Sequence, residues 1–391
     1  MSAKIVRLAL LPLLLLGCGD DSTTADAARP DAARADVPAM DVPGQDVRPC
    51  TPQTRLTPIW MAGEAGSRED VGAFGKPDAI FVLGDHLIAG DEDPAFEELH
   101  VYDLNSDDPD MDADQLTPLA DLGAQPGPGG DGPAEFRAIS GFAALASGVL
   151  YVAEQGNDRL QMLQAIPGAP FYESVGFLGG PAANRDMPGP AEFVRLQALR
   201  VDSMDRLFVS DDGRDGTDVG RRDIQVFDNE NNFLFRFGMG EEGDAFGQNG
   251  NVQEPENFAI DEARDRIYVC DEGPNNVVVY RYSDQSFVRR FGDGIFTGTT
   301  NGVDFDEQGR IYVVDEGNAL SSGVRVFDPE TFEELAFFGE LSAADDFTPG
   351  TFNSPDTLLI DRARDLLIIA DQGHDRIQGF RLSDVQRAAC L

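Results

Sequence analysis

Along this chain one five-residue pattern of hydrophobic and polar positions returns six times: apolar, apolar or aromatic, apolar, small or apolar, then an acid. It stands at Leu87–Asp91, Leu150–Glu154, Leu207–Asp211, Ile267–Asp271, Ile311–Asp315 and Leu367–Asp371. The closing acids are 63, 57, 60, 44 and 56 residues apart. Short β-branched and aromatic runs between Gly, Asp and Asn turns predict strands. A further strand-like phrase precedes each copy, from Pro77–Val82 in the first to Leu358–Asp361 in the sixth. Another follows, from Leu99–Asp103 to Ile377–Phe380. Five copies then end in a fourth phrase closing on Gly123, Gly179, Gly238, Gly292 or Gly339.

The sixth copy runs out of chain before its fourth strand. A matching phrase, Pro58-Ile-Trp-Met-Ala-Gly63, lies instead ahead of the first copy. Units of this length with four strands each are propeller blades carrying insertions, and a borrowed N-terminal strand closes a ring, which an open stack does not need. The predicted fold class is therefore all-β, a six-bladed β-propeller over 51–391, its ring closed by the N-terminal strand. The run apolar-Tyr-Val-x-Asp, five residues and then Ile-Gln-Val-Phe, resembles the NHL repeat. So does Gly-Pro-Ala-Glu-Phe, which occurs at Gly132–Phe136 and Gly189–Phe193. The resemblance spans about Thr54 to Ser383 and is weakest in the first blade. It implies a fold and names no function.

The segment before the repeats reads as an address. Lys4 and Arg7 precede a nine-residue apolar run, Leu8–Leu16, too short to cross a bilayer and suited to a signal peptide over 1–17. Leu15-Leu16-Gly17-Cys18 resembles a lipobox, which implies a lipid anchor on Cys18 and a place in the cell envelope, on the inner or outer membrane. Residues 18–50 are rich in Asp, Ala and Pro and carry too few large apolar side chains to order themselves. They read as a tether. Cys50 and Cys390 flank the two strands that meet at ring closure, so a Cys50–Cys390 disulfide is expected in that oxidising compartment. Cys270, inside a strand, is expected to be a buried free thiol.

Charge narrows the partners. With 30 Lys+Arg against 70 Asp+Glu the formal net charge is −40, which repels phosphate backbones and sets nucleic acid aside. Partners expected on the loop-rich face are protein, peptide or glycan. The candidate binding residues are the ring of strand-end acids, Asp91, Glu154, Asp211, Asp271, Asp315 and Asp371, with His374 beside them. Such a ring could hold Ca²⁺ through oxygen ligands; equally, the acids could accept N–H groups of neighbouring turns. No cofactor and no resident metal is otherwise expected. Peptidyl-hydroxyglycine lyases resemble this fold and use histidine-bound zinc, but His86 and His100 fall on one blade, away from His374 in the sixth. Gluconolactonase-like propellers hold one divalent ion in the channel with Glu, Asn and Asp, which an acidic face could mimic. Asp110-x-Asp112-x-Asp114 resembles a calcium loop but has Gln115 where the turn wants Gly. No residue is assigned a catalytic role. The expectation is a non-enzymatic binding or scaffold module, with a metal-dependent lactonase or lyase at the channel mouth as the alternative.

Overall fold

In a computed structural model, the described residues are 52–391 except 54, 64–72, 94–97, 105–113, 117, 124–129, 170–171, 185–187, 214–221, 240–248, 319–320 and 344–346. All belong to one compact unit, Cys50–Leu391. The signal-peptide, lipid-anchor and tether readings, the acidic run 105–113 and Cys50 lie outside them.

Six four-stranded antiparallel sheets follow one another along the chain. Blade one is Pro77–Leu83, His86–Asp91, Glu98–Asp103 and Pro118–Gly123; blade two is Ile139–Ala144, Val149–Glu154, Arg159–Ala165 and Tyr172–Leu178. Blades three to five begin with the inner strands Leu196–Val201, Pro255–Asp261 and Thr300–Phe305. Each inner strand packs against the next, and the sixth, Pro355–Asp361, packs back on the first. The ring is closed. It is a six-bladed β-propeller.

Closure occurs where the repeat pattern placed it. Trp60–Ala62 is the outer strand of blade six, antiparallel to Arg376–Arg381 with Trp60 opposite Gly379. The pairing needs glycine there, because a Cβ on Gly379 would lie 2.1 Å from the Trp60 indole. Trp60, the chain's single tryptophan, is 1% exposed. One further pairing was not expected: Asp114–Gln115, from the insertion in blade one, lies parallel to Trp60–Met61 and widens the sixth sheet to five strands. A short helix, Leu382–Ala388, ends the chain, and Ala388 accepts the Gln53 N–H at 2.9 Å. Cys390 is disulfide-bonded, and its partner lies outside the described residues. Cys270 is free and buried, as expected.

The core has six parts, one between each pair of neighbouring blades. Alternate residues of every strand face opposite neighbours, so one strand feeds two clusters: Leu87 and Ala89 pack toward blade six, Ile88 toward blade two. Side chains such as Val152, Val269 and Ile369 are fully buried, each contributing about 1.5–3 kcal/mol. Inner strands approach closely enough that Gly141 meets the Gln197–Leu199 backbone and Gly302 meets the Thr357–Leu358 backbone. Loops joining second to third strands share one face with the blade-to-blade connections. Both chain ends enter from the other face.

Candidate ligand site at the channel mouth

The six strand-end acids close the second strands of the six blades, and all are at most 1% exposed. Their oxygens hold the loop that leads into their own blade. Asp91 accepts the N–H groups of Gly75 at 2.7 Å and Lys76 at 3.0 Å, and Asp211 those of Val194 at 2.9 Å and Arg195 at 3.0 Å. Asp271 takes those of Gln253 and Glu254, Asp315 those of Thr297 and Gly298, and Asp371 that of Asn353. Glu154, one methylene longer, instead receives Arg159 Nε at 2.7 Å and Asn157 at 2.8 Å. Arg290, Arg325 and Arg376 pair with Asp271, Asp315 and Asp371 at 2.8, 2.7 and 3.0 Å. His374 is fully buried, with Nδ1 2.7 Å from Asp371 and Nε2 3.0 Å from the Ala343 carbonyl. Burial pushes the Asp91 carboxyl up to about 6 against three N–H donors that pull it down. Burial, with Asp223 nearby, pushes Asp211 to about 7.

The side chains that do face the channel lie one position away. In all six blades the register between first and second strands breaks at the inner strand's second residue: Pro77 pairs with Asp91 but Ala79 with Gly90, and Pro355 pairs with Asp371 but Leu358 with Ile369. Such bulges re-aim a side chain. Here they turn Asp78, Ser140, Gln197, Glu256, Asn301 and Asp356 into a chamber of about 20 Å³ on the channel axis. That is room for one water-sized occupant. Around it stand residues that directly follow the strand-end acids: Glu92, Gln155, Asp212, Glu272 and Glu316 interact with the first ring or with one another.

The chamber is unevenly partnered. Asp78 and Asp356 lie carboxyl to carboxyl within hydrogen-bonding reach. Asn301 Nδ2 donates to Asp356 at 2.6 Å, while the buried Asn301 Oδ1 has no hydrogen-bond partner. Glu256 stands across the chamber with Gln197 Nε2 at 3.0 Å and with Asp212 and Glu272 nearby. Arg195 reaches Asp212 at 2.6 Å and Lys76 reaches Glu92 at 3.0 Å. Burial, then the neighbouring carboxylates, raises Asp78 and Glu256 well above the usual carboxylate range, and burial raises Asp356. Two carboxylates and an unpartnered amide oxygen suit a hard cation completed by water.

Of the two roles open to the strand-end acids, their contacts are those of loop holding, and the chamber residues were not singled out from the sequence. A signal was present: three inner strands open with Pro followed by an acid, Pro77-Asp78, Pro255-Glu256 and Pro355-Asp356. Asn157 and Asn276 belong to these acid-to-loop latches: Asn157 donates to Glu154 and Asn276 accepts from Arg290. Elsewhere, among the described residues, one trio of metal-type side chains converges within 4.8 Å: Glu98, His100 and Asp121, with His100 Nδ1 2.8 Å from Asp121. It lies within blade one, against the edge of Phe74. His86 is half-buried at the start of that blade's second strand.

No protein-family model and no curated protein matches the chain. Solved structures do. A gluconolactonase from Xanthomonas campestris is similar with TM-score 0.52 and 14% identity, over 85% of this chain and 98% of that one. A protein of unknown function from Bacteroides thetaiotaomicron is similar with TM-score 0.56 and 16% identity, over 83% and 74%. A luciferin-regenerating enzyme is similar with TM-score 0.51 and 13% identity, over 80% and 87%. The likeness is one of fold.

Proposed function

We propose that the chain is an NHL-type propeller anchored in the cell envelope through lipid on Cys18, and that it binds a peptide or glycan at the acid-lined channel mouth through one divalent cation. The chamber carries this reading: its size, its paired carboxylates and the unpartnered Asn301 Oδ1 suit one hard ion. Asp78, Asp356 and Asn301 would hold the ion, and Glu256 would face whatever enters from the mouth. A bound ion supplies positive charge that accepts hydroxyl, carbonyl or carboxylate oxygens of a ligand. The mouth lies on the face opposite Gln53 and the C-terminal helix. The strand-end acids and His374 support the site by fixing its loops.

A second reading is metal-assisted hydrolysis of a lactone or similar ester. It is favoured by Glu256, a chamber carboxyl whose proton affinity is raised by burial, as a general acid requires. The gluconolactonase likeness is compatible with it. Glycan and peptide arrays probed with calcium and with EDTA, run beside δ-lactone hydrolysis assays, separate the two. Calcium-dependent retention without turnover supports binding. Turnover lost in Glu256→Gln supports the hydrolase, and neither activity would leave the mouth without a ligand role.

A further inference from the structure

The channel has a second end with the opposite character. On the face where the chain ends enter, the last residues of five inner strands enclose a cavity of about 560 Å³, within the usual range for small-molecule pockets. Its wall is mixed: Phe81, Val201, Ile260 and Leu359 supply apolar surface beside Asp304, Asp361 and three arginines, of which Arg200 is one. The other two rim arginines are neutralised: Arg362 pairs with Asp304 at 3.0 Å, and Arg364 pairs with Asp361 at 2.8 Å and Asp85 at 3.0 Å.

Arg200 is bonded differently. One terminal nitrogen donates to the Leu199 carbonyl at 2.8 Å and the other to Asn257 Oδ1 at 2.6 Å. Both acceptors are neutral, and a guanidinium carries five N–H donors. The acid whose charge it feels, Asp304, is committed to Arg362 and to the Ile360 N–H at 2.8 Å. Asn257 in turn donates to Thr357 Oγ1 at 2.9 Å, and both residues line the chamber above. The Arg200–Asn257–Thr357 chain therefore runs between the acidic chamber and this cavity. In a protein of net charge −40, the cavity keeps one positive charge without a carboxylate. Burial lowers the proton affinity of Arg200, and the charge of Asp304 offsets this only in part.

We propose that this cavity binds a small organic monocarboxylate, its charged end on Arg200 and its apolar body against Phe81, Ile260 and Leu359. A carboxylate matches the planar donor edge of a guanidinium, and such charge-assisted bonds are among the strongest available. The site needs no cation, so its fate is separable from that of the channel mouth.

The test uses the full-length protein in EDTA and three ligands of one shape: 4-phenylbutyrate, 4-phenylbutanol and 4-phenylbutylamine, each titrated by calorimetry. The expected result is one equivalent of 4-phenylbutyrate, with the alcohol at least tenfold weaker and the amine not bound. Arg200→Gln should weaken the carboxylate tenfold or more and leave the alcohol unchanged, while Arg200→Lys should fall between. Equal affinity for acid and alcohol, or no binding of the acid at millimolar concentration, overturns the proposal. The ligand series on the unaltered protein decides it even if Arg200→Gln does not fold.

Discussion

Replacing Gly379 by alanine tests how the ring is held shut. The added Cβ would lie 2.1 Å from Trp60 Cε2 and 2.3 Å from Cζ2, so the indole must leave its slot or the two strands must part. Forcing an extra methyl into a packed core costs about 1–3 kcal/mol, and losing a buried tryptophan about 3–5 kcal/mol. Expulsion of the ring puts the change near the larger figure, about 4 kcal/mol. Unfolding entropy of roughly 2.1 cal/mol/K per residue over Cys50–Leu391 turns that into a fall in melting temperature of about 5–6 °C. Trp60 is the single tryptophan, so its emission reports the seam directly. The unaltered protein should emit as a buried indole, and Gly379→Ala should shift emission to the red before thermal unfolding begins. Native emission with an unchanged melting temperature would refute closure by this strand pairing.

Other consequences follow from the same contacts. Asp315→Ala strands the Thr297 and Gly298 N–H groups and one side of Arg325, and should cost about 3–5 kcal/mol by chemical denaturation. A loss below 1 kcal/mol would mean the latches hold little. Reducing the Cys390 disulfide should lower the melting temperature under dithiothreitol while leaving the circular dichroism of the folded state unchanged. Cys270 is fully buried and its thiol is pushed well above the usual range, so iodoacetamide should label it only after unfolding; rapid labelling of native protein would contradict its placement. Asp78, Glu256 and Asp356 bind protons more tightly folded than unfolded, so without a cation stability should fall as pH rises from about 4 toward neutrality, by up to about 1.4 kcal/mol per pH unit for each proton. Melting curves across that range in EDTA should show this fall. Calcium should flatten it, and a rise with pH in EDTA would reverse the sign.

The architecture was legible because a propeller writes itself six times. Period-two alternation marks each strand, and the repeated acid marks where the second strand ends, so Trp60 could be assigned to blade six from the chain's two ends alone. The candidate site was not, for a related reason. The feature that repeats most regularly, the strand-end acid, does the same task in five of the blades, holding its entry loop. The channel side chains differ from blade to blade, as Asp78, Ser140, Gln197, Glu256, Asn301 and Asp356 do, and a search for self-similarity passes over them. They also point into the channel only because a bulge shifts the register there, and alternation cannot show a bulge when a single-residue slip reverses a side chain's facing. Asp114–Gln115 was missed because its strand pairing is long-range and only two residues deep.

Whether the chamber holds one cation is read by calorimetric titration of calcium into chelator-stripped protein, with Asp356→Asn and Asp78→Asn alongside. One equivalent bound by the unaltered protein and at least tenfold weaker binding in both variants is the predicted result. No heat at millimolar calcium, or equal binding in all three proteins, would contradict the account.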